Sequence, residues 1–339
     1  MEALQVTWFL LVGILVIGYA ILDGFDLGVG FWHLFAKRKG ERSAFIHSIE
    51  PFWDGNEVWL LTGGGALFAA FPPVYASVFS GFYLAMMLVL LGLIFRAVAI
   101  EYRGKIDHPA WIKAWDFAFA LGSILPTILY GVAIGNVLRG LELNALGDYT
   151  GGFLALLNPF AVLCGLVGLS MFAHHGALFL SMKLDGEVAE EARTWAARTW
   201  YVFLALFMVA VTMGLRGGYI RSWDALPVKR YLPLVLVLLA LAAHSTARFL
   251  SRIRKAGAAF IASSLTIASV MLAVATAVFP NLVPCTNAPE WSLTVFNSSS
   301  TKLTLFSMLI IALLGMPIVL GYTWFIHHVF RDRVKVHKD

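Results

Sequence analysis

Charge is scarce in this sequence. Only 13% of its 339 residues are Asp, Glu, Lys or Arg, against roughly a quarter in an ordinary soluble domain. Apolar residues take their place: 60% of the chain is hydrophobic and 14% aromatic, with 26 Phe and 11 Trp. A soluble fold has a largely polar surface and too little interior to hide that share. The shortage excludes a soluble enzyme, a disordered chain and a nucleic-acid-binding module. The net charge of +5 is then a matter of which loops face which side of a bilayer. Cysteine is almost missing as well. The two that occur, Cys164 and Cys285, exclude a disulfide framework and a Cys-rich metal site, and two isolated thiols are expected. There is no P-loop, no Gly-x-Gly-x-x-Gly after a strand, no His-Glu-x-x-His and no Cys-x-x-Cys, so none of the common soluble-enzyme signatures applies. The start lacks the basic residues of a secretion signal, and its apolar run outlasts one, so the first segment is expected to remain as a span.

What the chain does have is long apolar runs. Nine are expected to cross a bilayer as helices, at roughly 20 residues per crossing: residues 8–35, 52–71, 77–100, 112–138, 158–182, 195–215, 231–250, 257–279 and 303–330. Backbone satisfaction in lipid demands helices here. The runs are continuous rather than alternating, which excludes an outer-membrane barrel. The expectation is an all-α polytopic protein forming a single transmembrane domain, its longest connection being Pro280–Lys302. Of the 25 Lys and Arg residues, 18 fall in odd-numbered connections or the C-terminal tail, among them Arg38, Lys39, Arg42, Arg103, Lys183, Arg254 and Lys338. Six, including Arg139 and Arg221, fall in even ones. This bias places the N-terminus outside and the C-terminus in the cytoplasm.

The informative residues are the polar ones at membrane depth, where a charge costs several kcal/mol and faces a bundle interior or a water path. Asp23 and Asp26 lie three apart in the first run, hence on one helix face. Asp23 is roughly 22 Å along the helix from Trp8, past the midplane toward the cytoplasm. Gly24 and Gly28 are spaced for close approach of another helix. Asp54 and Glu57 follow where the chain re-enters the membrane; Asp54 is also placed to cap that helix. Arg96 sits inside the third run. It cannot deprotonate, so it needs a carboxylate partner, with Asp54, Asp23 and Asp26 at similar depth. A row of acids on the cytoplasmic side suits proton uptake, and equally suits an ion-paired network that sets helix register. Gly63, Gly64 and Gly65 read as close helix packing rather than a phosphate cradle.

His174, His175 and His244 lie inside runs, where His244 facing one of the other two is the one arrangement open to haem ligation. The competing reading is hydrogen-bonded bundle residues. Pro126 and Pro317 interrupt the fourth and ninth runs, a feature also met in transporters, so a stand-alone proton-coupled transporter is the alternative class.

The run Leu22-Asp23-Gly24-Phe25-Asp26-Leu27-Gly28-Val29-Gly30 resembles the first-helix motif of subunit II of cytochrome bd-type quinol oxidases. Trp53-Asp54-Gly55-Asn56-Glu57-Val58-Trp59 with Gly64 to Ala70 is similar to the second motif of that family. Ser80 to Tyr83, Phe95-Arg96, Tyr102-Arg103, Leu157 to Phe160 and Ser292 to Thr294 extend the likeness over nearly the whole chain. The resemblance implies nine helices as two four-helix bundles plus one. It implies a partner, subunit I, that carries two b haems, haem d and the quinol-oxidising loop, while this chain binds no haem and has no catalytic residue. The complex would oxidise quinol, reduce O2 to water and draw the protons from the cytoplasm across a bacterial or archaeal inner membrane. The family's functional acid falls on Asp54, with Trp53, Arg96 and Glu101 as supporting positions. Glu57 stands where members of the family can have Gln, and the connection Arg216–Arg230 is shorter than in some. The resemblance leaves open a structural quinone or phospholipid and small single-span accessory subunits; it implies no nucleic-acid partner.

Overall fold

A computed structural model describes residues 1–37, 40–219 and 227–335. Arg38, Lys39, Arg221 and Lys338 of the charge reading, and the middle of the 216–230 connection, lie outside the described residues. The chain is almost wholly helical: α1 (Glu2–His33), α2 (Glu41–Ile49), α3 (Trp53–Ala70), α4 (Pro72–Gly81), α5 (Tyr83–Tyr102), α6 (Pro109–Arg139), α7 (Pro159–Lys183), α8 (Gly186–Arg216), α9 (Pro227–Arg252), α10 (Ala256–Val278) and α11 (Lys302–Val329). Among the described residues, eight helices are long and apolar enough to span a membrane. The expected second span, α3, is not one of them; its first five residues include Asp54, Asn56 and Glu57, which lower its hydropathy.

The helix ends follow from local sequence. Pro159 takes the first turn of α7, and the side chain of Asn158 accepts from the Ala161 N–H (3.0 Å). Thr301 caps α11 in the same way through Thr304. Such caps satisfy amides that a helix leaves unpaired. The expected third run is two helices, α4 and α5, which meet at Phe82. Pro126 and Pro317 interrupt nothing; α6 and α11 run through them. The first connection contains a helix, α2, that hydropathy alone does not reveal.

α7 is the central helix, packing on α1, α6, α8 and α10, whereas α11 lies outermost, touching only α1 and α3 appreciably. Small residues set the closest approach. A methyl on Gly28 of α1 would stand 2.0 Å from the Phe172 carbonyl oxygen and 2.9 Å from Gly176 of α7, so the expected small-residue contact is realised. Gly63 makes only ordinary contact with Leu15, and Gly64 and Gly65 have no neighbour within 4 Å; the packing expected of that triplet is not formed among the described residues. At one end of the molecule, aromatics fill the core: Trp32 stacks on Trp195 at 4.5 Å between ring centres, and Phe25 on Phe179 at 4.2 Å. At the other end, the 280–302 connection forms a short antiparallel pair, β1 (Asn281–Val283) with β2 (Leu293–Thr294). It is tied to α3 by the Ser300 N–H on the Ala70 carbonyl (2.8 Å). Both cysteines are free thiols, as expected.

Candidate functional site: a buried acid cluster around Arg96

Three helices supply the cluster. α1 contributes Asp23 and Asp26, α3 contributes Asn56 and Glu57, and α5 contributes Arg96. Arg96 reaches this depth because α5 presses on α6 through glycines. A methyl on Gly122 would lie 2.7 Å from the Arg96 amide nitrogen, and one on Gly92 would lie 2.8 Å from Pro126. Arg96, Asp23 and Asp26 are each 0% exposed. The Arg96 guanidinium lies 2.7 Å from Asp23 Oδ1 and 2.5 Å from Glu57 Oε1. Asn56 Nδ2 donates to Asp26 Oδ2 (2.8 Å) and to the Leu22 carbonyl (3.0 Å), which holds α3 against α1.

The requirement that Arg96 find a carboxylate is therefore met, by Asp23 among the three expected partners. Asp26 goes instead to Asn56, and Glu57 replaces Asp54. Asp54 does not cap α3 either, since that helix starts at Trp53 with Phe52 in the capping position. Among the described residues Asp54 makes no ion pair and is exposed. It shares an exposed stripe with Val58, Leu61, Gly65 and Phe68, the i, i+4, i+7, i+11, i+14 positions of one helix face. Trp53 packs against the aromatic core at this end. Glu101 is exposed. Five residues at about 100° each turn it well away from Arg96 around α5, so the two do not form one site.

The cluster holds three carboxylates and one guanidinium. Asp23 Oδ2, Asp26 Oδ1, and Arg96 Nε and Nη1 are buried without a hydrogen-bond partner among the described residues. Tyr19, one turn from Asp23 on α1, pairs its hydroxyl with that of Tyr130 (3.0 Å). Both tyrosines stand on the wall of an apolar cavity of about 280 Å³ enclosed chiefly by α1, α6, α7, α8 and α10.

A second polar hub escaped sequence reasoning. Asp116 of α6 receives three basic side chains: His33 Nε2 at 2.6 Å, Arg103 Nε at 2.5 Å and an Arg42 Nη at 2.9 Å. Arg103 also donates to Ser43 Oγ (3.0 Å). The hub ties together the ends of α1 and α5, the start of α6, and α2. A lone acid inside an apolar run was the available signal, the same one that singles out Asp23.

The membrane histidines are engaged by protein. His174 Nδ1 donates to the Ala196 carbonyl (3.0 Å), and His244 Nε2 to that of Trp200 (3.1 Å). His175 Nε2 donates to the Ile21 carbonyl (3.1 Å), and its Nδ1 pairs with Ser263 Oγ (2.9 Å). The His174 and His244 rings touch edge to face, 4.8 Å between centres, which leaves no gap for a macrocycle between them. His174 and His244 therefore do not bracket a haem; His174 Nε2 is buried without a hydrogen-bond partner among the described residues. Among the described residues no group of three or more His, Cys, Asp or Glu is placed to hold a metal ion.

The sequence model of the family described as cytochrome bd terminal oxidase subunit II matches residues 4–330. The chain is 40% identical to the cytochrome bd-I ubiquinol oxidase subunit 2 of Escherichia coli K12, over 95% of this chain and 93% of the relative. It is 40% identical to a probable cytochrome oxidase subunit 2 of Haemophilus influenzae with the same coverage. It is 34% identical to the cytochrome bd ubiquinol oxidase subunit 2 of Bacillus subtilis, over 100% and 99%. In fold it is similar to a chain of the bd oxidase from Geobacillus thermodenitrificans, with a TM-score of 0.80 over 97% of this chain and 98% of that one, at 16% identity.

Proposed function

The chain belongs to the cytochrome bd terminal oxidase subunit II family, and from that premise we propose that it serves its quinol oxidase as a haem-free, nine-span subunit that stabilises the haem-bearing subunit I and conducts protons from the cytoplasm toward the site of O2 reduction. The two b haems, haem d and the quinol site belong to the partner. This chain's residues supply and hold protons, which reduction of O2 to water consumes.

The observation that carries this reading is the position of Asp54. It is a carboxylate on an uncovered apolar stripe of α3, and a charge in that setting calls for a protein neighbour or a water path. Gly65, with open space beside it, suits that stripe to close contact with another helix. Behind Asp54 stand Glu57, Asp23 and Asp26, with one guanidinium among them. More acid than compensating charge is the condition under which such a site exchanges protons. Arg96 holds the acids in register, Trp53 anchors the helix start, and Glu101 marks the cytoplasmic mouth.

The orientation rests on which ends meet. The hub at Asp116 gathers Arg42 and Arg103, Lys183 binds the carbonyls of Phe330 and Asp332, and Arg254 meets Glu190. That end of the molecule is rich in Lys and Arg and is assigned to the cytoplasm, with the N-terminus outside. On this reading α3 is the ninth span, shielded by its partner at its polar start, and the whole chain is one transmembrane domain of two four-helix bundles and an extra helix. The apolar cavity beside Tyr19 and Tyr130 is suited to a structural quinone or lipid tail. Small single-span subunits would find room on exposed faces such as that of α11.

Asp54→Asn in the assembled complex is expected to lower O2 consumption with quinol about tenfold or more, the scale of losing a proton-transfer group, with haem content unchanged. Asp54→Glu is expected to retain most of the rate. Unchanged turnover in the Asn variant would sink the proton role. The stand-alone transporter alternative is separated by purification: it predicts a chain free of any haem-bearing partner.

A further inference from the structure

At the end of the molecule opposite Asp116, the segment after α6 and the 280–302 connection fold over one another. The Leu141 N–H donates to the Pro284 carbonyl (2.8 Å), and the Thr286 N–H donates to that of Leu141 (2.9 Å). Asn287 clamps Leu143, accepting from its N–H (3.1 Å) and donating to its carbonyl (2.9 Å). Together they close a polar pocket of about 320 Å³, walled by Asn136, Arg139, Glu142, Tyr149, Thr286 and Asn287.

Most of these polar groups are already used. Asn136 donates to the carbonyls of Val132 and Leu156 and accepts from Asn158. Tyr149 donates to the Gly152 carbonyl and Thr286 to that of Leu141. Two groups are left over, and they are the two charged ones. The side chains of Arg139, half-buried, and Glu142, exposed, make no hydrogen bond or ion pair with any described residue. They do not pair with each other, although both act on the Tyr149 hydroxyl between them. Burial and then the Glu142 charge push its pKa up, against Arg139. The pocket thus presents one cation and one anion, held apart.

Its depth is set by the chain itself. Arg139 ends α6, and Pro159 begins α7, so the pocket lies where two membrane helices leave the bilayer. Beside it runs the turn Phe153–Leu157, whose Ala155 lines the pocket. Leu154 is 79% and Leu157 41% exposed, so apolar side chains are presented outward beside the pocket.

We propose that this pocket binds the head group of an amine-bearing phospholipid, its phosphate against Arg139 and its primary ammonium against Glu142, with the acyl chains running past Leu154 and Leu157. Phosphatidylglycerol offers the phosphate but only neutral hydroxyls, and no cation, to Glu142. Phosphatidylcholine has a cation with no N–H to donate.

The test uses the whole purified oxidase complex, stripped of loose lipid in detergent. It is then offered phosphatidylethanolamine, phosphatidylglycerol or phosphatidylcholine, and bound lipid is read by native mass spectrometry. The wild-type complex is expected to retain phosphatidylethanolamine about tenfold better than either of the others. Arg139→Gln is expected to lose that retention. Glu142→Gln is expected to retain phosphatidylethanolamine and phosphatidylglycerol alike. Neither side chain bonds to the rest of the fold, so complex yield and haem content should stay at wild-type levels and serve as the folding control. Equal retention of the three lipids by the wild-type complex, or full retention by Arg139→Gln, would overturn the proposal. Displacement of the lipid by glycerophosphoethanolamine at equal concentration would assign the pocket to a free head group and overturn the lipid assignment.

Discussion

Replacing Arg96 by Leu deletes the only guanidinium of the acid cluster and is expected to damage the whole subunit. Asp23, 0% exposed, loses the partner that lies 2.7 Å away. Glu57 loses its 2.5 Å contact, but its side chain is 22% exposed, so water takes over part of that interaction. Breaking a buried ion pair from one side costs about 3–5 kcal/mol. Most of it here falls on Asp23, whose side chain is fully buried beside the guanidinium. Set against a total stability of about 5–15 kcal/mol, a loss of that size raises the unfolded fraction by roughly two to three and a half orders of magnitude, at about 1.4 kcal/mol per factor of ten. The assay is the yield and thermal midpoint of the assembled complex, followed by size-exclusion chromatography of a fluorescently tagged chain with haem absorbance as a second channel. Combining Arg96→Leu with Asp23→Asn and Glu57→Gln removes the stranded charges together and should recover most of the yield, because an apolar or neutral replacement of a whole buried pair is often tolerated. A single Arg96→Leu variant that assembles and melts like wild type would refute the reasoning. So would a triple variant no better than the single one.

Two further substitutions probe the frame. Asp116→Asn leaves His33, Arg42 and Arg103 gathered around a neutral amide. It should cost about 3 kcal/mol or more and appear as faster proteolysis of the α2 segment in purified complex, with cleavage at the wild-type rate counting against the hub. Gly28→Val places methyls where a Cβ alone would stand 2.0 Å from the Phe172 carbonyl oxygen. Separating α1 from α7 should cost at least about 1–3 kcal/mol, read as a lower thermal midpoint of the complex, while Gly64→Ala, with nothing nearby, should leave the midpoint of this chain's own fold in place.

Depth was legible from the residues alone. A fixed rise along each helix places Asp23, Asp26, Asp54 and Arg96 at comparable levels, and the cost of an uncompensated charge in an apolar run dictates that Arg96 meets an acid. Hydropathy likewise specifies the helical class and most of its spans. Which acid meets Arg96 was not legible, because azimuth depends on how helices from distant parts of the chain rotate against one another. Gly122 and Gly92 press α5 onto α6, Gly28 and Gly176 press α1 onto α7, and Asn56 pins α3 to α1. Those contacts turn Asp23 and Glu57 inward to the guanidinium and Asp54 outward to an empty face. The Asp116 hub needed the same information, since its three basic partners come from three separate segments. α2 and the split between α4 and α5 were hidden for a different reason: a helix outside the bilayer and a one-residue break within an apolar stretch hardly change average hydropathy. Composition and local pattern thus determined that this chain is a helical membrane protein with acids at membrane depth. Tertiary packing decided which of those acids is neutralised and which is left facing outward, because that choice is made by contacts between helices and not by any single one.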